Sequence, residues 1–229
     1  MPAVTEAKRV AVVQPYFFPY AGYFRLFAQV DEVVIFDCVQ FPRRGRVHRC
    51  EVPGPTGAVE WLTLPLARQA REVRIKDLAF VADSTSIFAG RLARLPWISG
   101  ASGPDSVALL DFLRRPEGGV VDYLEEGLRL VTFLLGLTPV LRRSSTLGID
   151  PALRGQERLI ATVRAVGGTR YLNAPGGREL YDPAAFAAAG VALEFLPPYT
   201  GAFFHLLPAL LAGQAAALRA ESPTWQSDT

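Results

Sequence analysis

Residues 9–37 carry the pattern that most restricts how this chain folds. An apolar run at 9–13 has the composition of a buried strand, residues 22–30 have that of a helix, and residues 33–37 have that of a second strand. A strand, helix and strand in succession are typical of a parallel pair, because the helix returns the chain to the same end of the sheet. The pattern predicts an α/β fold with a mainly parallel sheet flanked by helices.

The rest of the chain extends this prediction. Two strand-like segments on either side of a Pro- and Gly-rich turn predict a β-hairpin inserted after the second strand, and a helical middle segment follows at about 84–137. Later segments again alternate between helix and strand, so we expect a single α/β domain over residues 1–229. The segments are a hairpin at 47–64, helices at 153–166 and 183–189, and strands at 170–172 and 191–196.

The loop at 14–22 is rich in aromatic residues and contains Pro15 and Pro19, which restrict its backbone. In an open parallel sheet, ligands bind outside the carboxyl ends of the strands, where this loop begins. We therefore expect a small-molecule pocket walled by Tyr16, Phe17 and Tyr20. The alternative is that these rings belong to the core.

Two stretches of the sequence have the pattern of a known family. Residues 14–24 read Q-P-Y-F-F-P-Y-x-G-Y-F, and residues 36–49 read F-D-x-V-Q-F-x-R-R-G-x-x-x-R. The chain resembles the WbqC-like family in these stretches and in shorter ones at 155–158, 168–173 and 176–181. The resemblance covers about residues 10–195. It implies a bacterial protein encoded with polysaccharide or specialised-metabolite genes.

The first unit also resembles the start of the nucleotidylyltransferase-like, Rossmann-like α/β folds. Those folds carry H-x-G-H after the first strand, whereas this chain has Tyr20, Ala21, Gly22 and Tyr23 there. Both phosphate-binding imidazoles are missing, so the resemblance implies the fold and not nucleotidyl transfer.

Cys38, His48 and Asp37 form the clearest candidate for catalysis. A cysteine with a histidine and a carboxylate is the set that generates a thiolate nucleophile, and Cys38 follows the second strand. The WbqC-like pattern often has Asp in place of Cys38 and Asn in place of His48, so this chain departs from it at both. The alternative is a small buried cysteine and an exposed histidine.

Other polar residues suit substrate binding. The amides follow strands and are suited to holding an acyl group. An arginine cluster at 43, 44, 46 and 49 suits a phosphate, a carboxylate or a carrier-borne phosphopantetheine, and a solvated loop with salt bridges is the equal alternative. Asn173 is equally typical of a plain turn. The candidates are Gln14, Tyr16, Tyr20, Gln40, Arg44, Arg49 and Asn173.

Composition narrows the function classes. The net charge of +2 says little about partners, but the basic cluster is too short for a nucleic-acid-binding stripe, so we expect no nucleic acid partner. We expect no metal and no cofactor, since metal-ligand spacings, a Walker loop and G-x-G-x-x-G are missing from the sequence. Two cysteines, no signal peptide and no long apolar run favour the reducing cytoplasm without membrane association.

Three functions remain as hypotheses. The first is an acyl- or aminoacyltransferase of specialised-metabolite or surface-glycan biosynthesis. Cys38 takes an acyl group from an acyl carrier protein and passes it to a small-molecule amine, an amino sugar or a hydroxyl, with His48 as base and Asp37 orienting it. The second is a cysteine hydrolase with the same residues, and the third is a non-catalytic protein that binds a sugar or an acyl chain.

Overall fold

The computed structural model describes residues 7–225, with side chains described as far as residue 221. The strands of this region, numbered in chain order, are β1 (Arg9–Val13), β2 (Glu32–Ile35), β3 (Arg49–Pro53), β4 (Val59–Thr63), β5 (Val140–Arg143), β6 (Arg170–Asn173) and β7 (Ala192–Phe195). Five of them form one parallel sheet in the order β5-β2-β1-β6-β7, while β3 and β4 form a separate antiparallel hairpin. The predicted α/β class, parallel sheet and inserted hairpin are confirmed.

The helices of the described region connect these strands. They are α1 (Ala21–Ala28), α2 (Ser84–Leu92), α3 (Pro104–Leu113), α4 (Val120–Leu134), α5 (Gly155–Ala165), α6 (Pro183–Ala188), α7 (Leu206–Leu211) and α8 (Ala215–Trp225). Short 3-10 turns occur at Ile75–Asp77, Pro96–Ile98, Ser144–Thr146 and Pro175–Gly177. No helix of the described region is long and apolar enough to cross a membrane.

After their first residues, Arg9 and Glu32, the strands β1 and β2 are wholly apolar, as expected where helices cover both faces of a sheet. Alternate residues of β1 point to opposite faces, so Ala11 and Val13 join one apolar cluster and Val10 and Val12 join another. The first cluster includes Phe24 of α1 and residues of α4, and the second includes residues of α5 and α6.

The sheet brings the predicted strand ends to one edge. β1 lies in the centre and pairs in parallel with both β2 and β6, so the chain after Val13, Ile35 and Asn173 emerges at the same edge. The loop after β2 also neighbours the loop after β5, because these two strands pair in parallel. The loops after β2, β5 and β6, together with the start of α5, build the candidate site.

Candidate functional site

Cys38 lies half-buried in the turn after β2, and its sulfur is surrounded by hydrogen-bond donors. Arg158 donates to Sγ from Nη2 at 3.0 Å and from Nε at 3.3 Å. The hydroxyl of Ser144 lies 3.0 Å from Sγ and 2.9 Å from Oδ1 of Asp37. It has a single hydrogen, which it donates to one of these acceptors at a time.

Arg158 reaches the sulfur from the first turn of α5. Its side chain is buried, and Nη1 donates to the carbonyl oxygens of Asp150 at 3.2 Å and Leu153 at 3.4 Å. Both carbonyls belong to the loop before α5, so the guanidinium is held in place beside Cys38. A fixed cation that donates two hydrogen bonds to a sulfur stabilises negative charge on it.

Asp37 is 1% exposed and connects the loops after β2 and β5. Its Oδ1 accepts from the backbone N–H of Ser145 at 2.9 Å, and its Oδ2 accepts from the Ser145 hydroxyl at 2.5 Å. With Ser144 as a further donor, the carboxylate fixes the 3-10 turn after β5 beside Cys38.

His48 precedes β3 and makes no hydrogen bond to Cys38 or Asp37 within the described part of the chain. Its ring packs edge-on against Phe41 with the ring centroids 5.0 Å apart, and its Nδ1 is buried without a described partner. Burial, helped by the positive charge of Arg49, lowers the pKa of His48 from 6.5 to about 4. The imidazole is therefore neutral at pH 7.

This lowered pKa predicts a pH-dependent stability. Between about pH 6.5 and about pH 4 the unfolded state binds a proton on His48 that the folded state does not, so the free energy of unfolding falls as the pH falls through this window. Because the ring is partly exposed and solvent screens its charge, we expect the free energy of unfolding to fall by about 1–2 kcal/mol. Urea unfolding at several pH values measures it.

His48→Asn is the control for this prediction, since asparagine does not titrate. The difference in unfolding free energy between wild type and variant should change across the window and level off below the folded pKa. A constant difference between the two proteins would contradict the prediction.

A cavity of about 500 Å³ opens beside Cys38, which is large enough for a small-molecule ligand. Its walls come from the loop after β2, the segment before the first 3-10 turn, the start of α5 and the loop after β6. The polar and charged side chains that line it, with the thiol, are Cys38, Gln40, Glu72, Arg74, Arg154, Arg158 and Tyr181. Of the predicted site residues, Cys38 and Gln40 line this cavity.

The aromatic loop lies elsewhere. Phe17 is buried in the core, and Tyr16 borders a void of only about 10 Å³, which leaves no space for a ligand. Tyr20 lines a different cavity. The backbone oxygen of Gln14 accepts from the Tyr23 hydroxyl at 2.7 Å, which ties the loop to α1.

The remaining predicted residues have local partners. Oδ1 of Asn173 accepts from the N–H of Ala174 at 2.8 Å, as in a turn. Arg49 donates to the Gly45 oxygen at 3.1 Å and lies 4.1 Å from the ring centroid of Trp61, whereas Arg44 is exposed. No group of three or more His, Cys, Asp or Glu side chains is suited to hold a metal ion within residues 7–225.

A comparison with protein families gives a match to the WbqC-like protein family over residues 14–203, which is most of the chain. The chain belongs to the WbqC-like protein family. This WbqC-like protein is also 38% identical over 64 residues to an uncharacterised protein of Mycobacterium tuberculosis, a match that spans 28% of this chain and 27% of that relative. No solved structure matches it.

Sequence reasoning missed two partners of Cys38 in this WbqC-like protein. Ser144 is 106 residues from Cys38 and Arg158 is 120 residues from it, so no local spacing connects them. One signal was present, because Arg158 ends the stretch Gly155-Gln156-Glu157-Arg158 that fits the family pattern. The match singled out Arg158 as part of the family pattern, but it did not connect Arg158 to Cys38.

Proposed function

We propose that this WbqC-like protein is a cysteine-dependent acyl- or aminoacyltransferase of specialised-metabolite or surface-glycan biosynthesis. The observation that carries the proposal is the sulfur of Cys38, which lies at the wall of a cavity of about 500 Å³ and accepts two hydrogen bonds from a buried arginine. A cysteine of this kind, beside a cation and open to a cavity, is typical of a reactive thiol.

The proposed reaction has two steps. The Cys38 thiolate attacks the carbonyl carbon of a carrier-bound thioester, a new C–S bond forms, and the carrier thiolate leaves. An amine or hydroxyl of the acceptor then attacks the same carbon, Cys38 leaves as a thiolate, and the proton that the acceptor loses ends on the released carrier thiolate, directly or through solvent. Arg158 stabilises the thiolate before the first step and after the second. This assignment gives Arg158 the charge-stabilising role for which the sequence suggested His48.

The charges around the cavity support an anionic donor. Arg74 and Arg154 line it together with Arg158, and guanidinium groups suit the phosphate of a phosphopantetheine arm. Glu72 also lines the cavity and suits an amine acceptor. An anionic acyl donor therefore has arginine side chains to bind, and a cationic amine acceptor has Glu72.

Intact-protein mass spectrometry after incubation with acyl-carrier thioesters tests the proposal. We expect a mass increase equal to the acyl group in the wild type and in Cys50→Ala, and no increase in Cys38→Ala. Cys50 is the matched control because it is the other free cysteine and is only 3% exposed.

The mass-spectrometry results distinguish an acyltransferase from a hydrolase and from a non-catalytic protein. An adduct that persists in Cys38→Ala, or no adduct with any thioester, contradicts the proposal. An adduct on Cys38 that decays to free acid at the same rate with and without amines identifies a hydrolase, because water is then the acceptor.

A further inference from the structure

A second cavity, of about 330 Å³, lies at the same edge of the sheet but shares no lining residue with the Cys38 cavity. Tyr20 contributes to it from the loop after β1, Pro175 from the segment after β6, and Tyr199 from the segment after β7. The strand order reverses between β1 and β6. From β1 the chain continues to β2 on one side, whereas β6 and β7 lie on the other side of β1. Open α/β sheets bind ligands at this crevice.

Three aromatic rings form one wall of the second cavity. The rings of Tyr20 and Phe204 are parallel within 4°, with centroids 6.2 Å apart, and the ring of Tyr199 packs edge-on against both. Phe204 is 55% exposed and lines the cavity. The wall therefore presents apolar surface to the cavity.

Hydrogen bonds fix the Tyr199 ring of the aromatic wall. The Tyr199 hydroxyl donates to Glu221 at 2.8 Å and accepts from the N–H of Phe203 at 3.1 Å. A side chain at Gly22 would collide with Tyr20 and Tyr199, so glycine is needed there for the close approach of the two rings. Fixed rings bind a ligand without a large loss of side-chain entropy.

An ion pair borders the same cavity. Nη2 of Arg46 lies 2.9 Å from Oε2 of Glu51, and these side chains are 39% and 32% exposed. The guanidinium of Arg46 also packs on the ring of Trp61, 5.2 Å from its centroid. A guanidinium has five N–H donors and a carboxylate has two acceptor oxygens, so the pair has both donors and acceptors left for a ligand.

We propose that this second cavity binds the pyranose ring of a neutral sugar. A pyranose has a face of C–H groups, which packs on aromatic rings, and hydroxyls that both donate and accept, which suit Arg46 and Glu51 together. Glu51 would repel an anion and Arg46 would repel a cation. A plain alkyl chain would cover the ion pair without offering it hydrogen bonds, which is unfavourable. The sugar site does not depend on the function of Cys38.

Saturation-transfer NMR and titration with a panel of methyl hexopyranosides and N-acetylhexosaminides test the proposal. We expect at least one glycoside to bind the wild type, with saturation strongest on the C–H protons of one ring face. Phe204→Ala should weaken its binding about tenfold, because one stacking ring is lost. Phe133→Ala is the matched control, since Phe133 is 78% exposed on α4 and should leave binding unchanged.

Further variants separate this site from the thiol chemistry. Glu51→Gln should weaken glycoside binding about tenfold by removing a charged acceptor, whereas Cys38→Ala should leave it unchanged. Binding of choline or hexanoate in place of every glycoside, equal binding by Phe204→Ala and Phe133→Ala, or no glycoside binding at all would overturn the proposal. If the wild type bound a glycoside but formed no acyl adduct on Cys38 with any thioester, only the acyltransferase would be overturned.

Discussion

Replacing Arg158 with methionine should slow the alkylation of Cys38 by iodoacetamide about tenfold to a hundredfold, and its acylation by carrier thioesters by a similar factor. The two charge-assisted hydrogen bonds to Sγ, at 3.0 and 3.3 Å, are lost, and such bonds contribute about 1.5–3 kcal/mol. The thiolate is the reacting species, so its destabilisation appears directly in the rate. Mass spectrometry of the alkylated protein over time gives the rate at Cys38 separately from that at buried Cys50.

Three variants control this experiment. Arg154→Met removes a guanidinium that lines the same cavity from an exposed position without touching Sγ, so it should change the alkylation rate much less. Arg158→Lys keeps the charge and loses the two-point contact, so its rate should be intermediate. His48→Asn should leave the rate unchanged, because the histidine makes no hydrogen bond to Cys38.

The opposite order of alkylation rates would assign the stabilisation of the Cys38 thiolate to His48. If His48→Asn slowed alkylation and Arg158→Met did not, the imidazole would have to approach Cys38 in solution, and the arginine would be a structural residue. Circular dichroism of each variant shows whether a slow rate reflects lost structure.

Asp37→Ala should lower the free energy of unfolding by about 3 kcal/mol. The substitution removes a carboxylate that is 1% exposed and leaves the Ser145 N–H and the hydroxyls of Ser144 and Ser145 without their acceptor. A buried donor without a partner costs about 1–3 kcal/mol, and a hydroxyl that rotates to another acceptor costs less. Urea unfolding measures the change through a lower midpoint at an unchanged slope.

Ser145→Ala is the matched variant, because it removes one of the donors and keeps the carboxylate. We expect it to cost about 1 kcal/mol, clearly less than Asp37→Ala. If Asp37→Ala kept the wild-type stability and lost only the acylation of Cys38, the carboxylate would be a catalytic group and not the connection between two loops.

Local sequence patterns were enough to predict the sheet. The apolar strands β1 and β2 and the helix between them follow from residues close in the chain, and so does the hairpin, whose turn is rich in Pro and Gly. Parallel pairing then followed from the alternation of strands and helices, and it predicted that Cys38 lies at the carboxyl edge of the sheet. Each of these inferences uses the spacing of apolar residues along the chain or the residue types that form a turn.

The same patterns gave less information about the aromatic loop. Aromatic side chains serve equally well as core and as cavity wall, and nothing in the order Tyr16, Phe17, Phe18 distinguishes the two. The structure separates them by the element that each ring faces: Phe17 packs in the core, while Tyr20 meets Tyr199 and Phe204 from the other end of the chain.

The sequence by itself determined the α/β class, the family and the position of Cys38 after β2, because these depend on residues that are neighbours in the chain. Only the tertiary structure decided the partners of Cys38. β5 pairs beside β2, so the turn that carries Ser144 reaches the sulfur, and α5 starts at the same edge of the sheet, so Arg158 reaches it as well. His48 is much closer in sequence, yet it lies against Phe41, because the chain enters the hairpin there and leaves the edge of the sheet. Side chains that meet through strand order have no fixed spacing in the sequence, and this is why spacing alone pointed to the histidine.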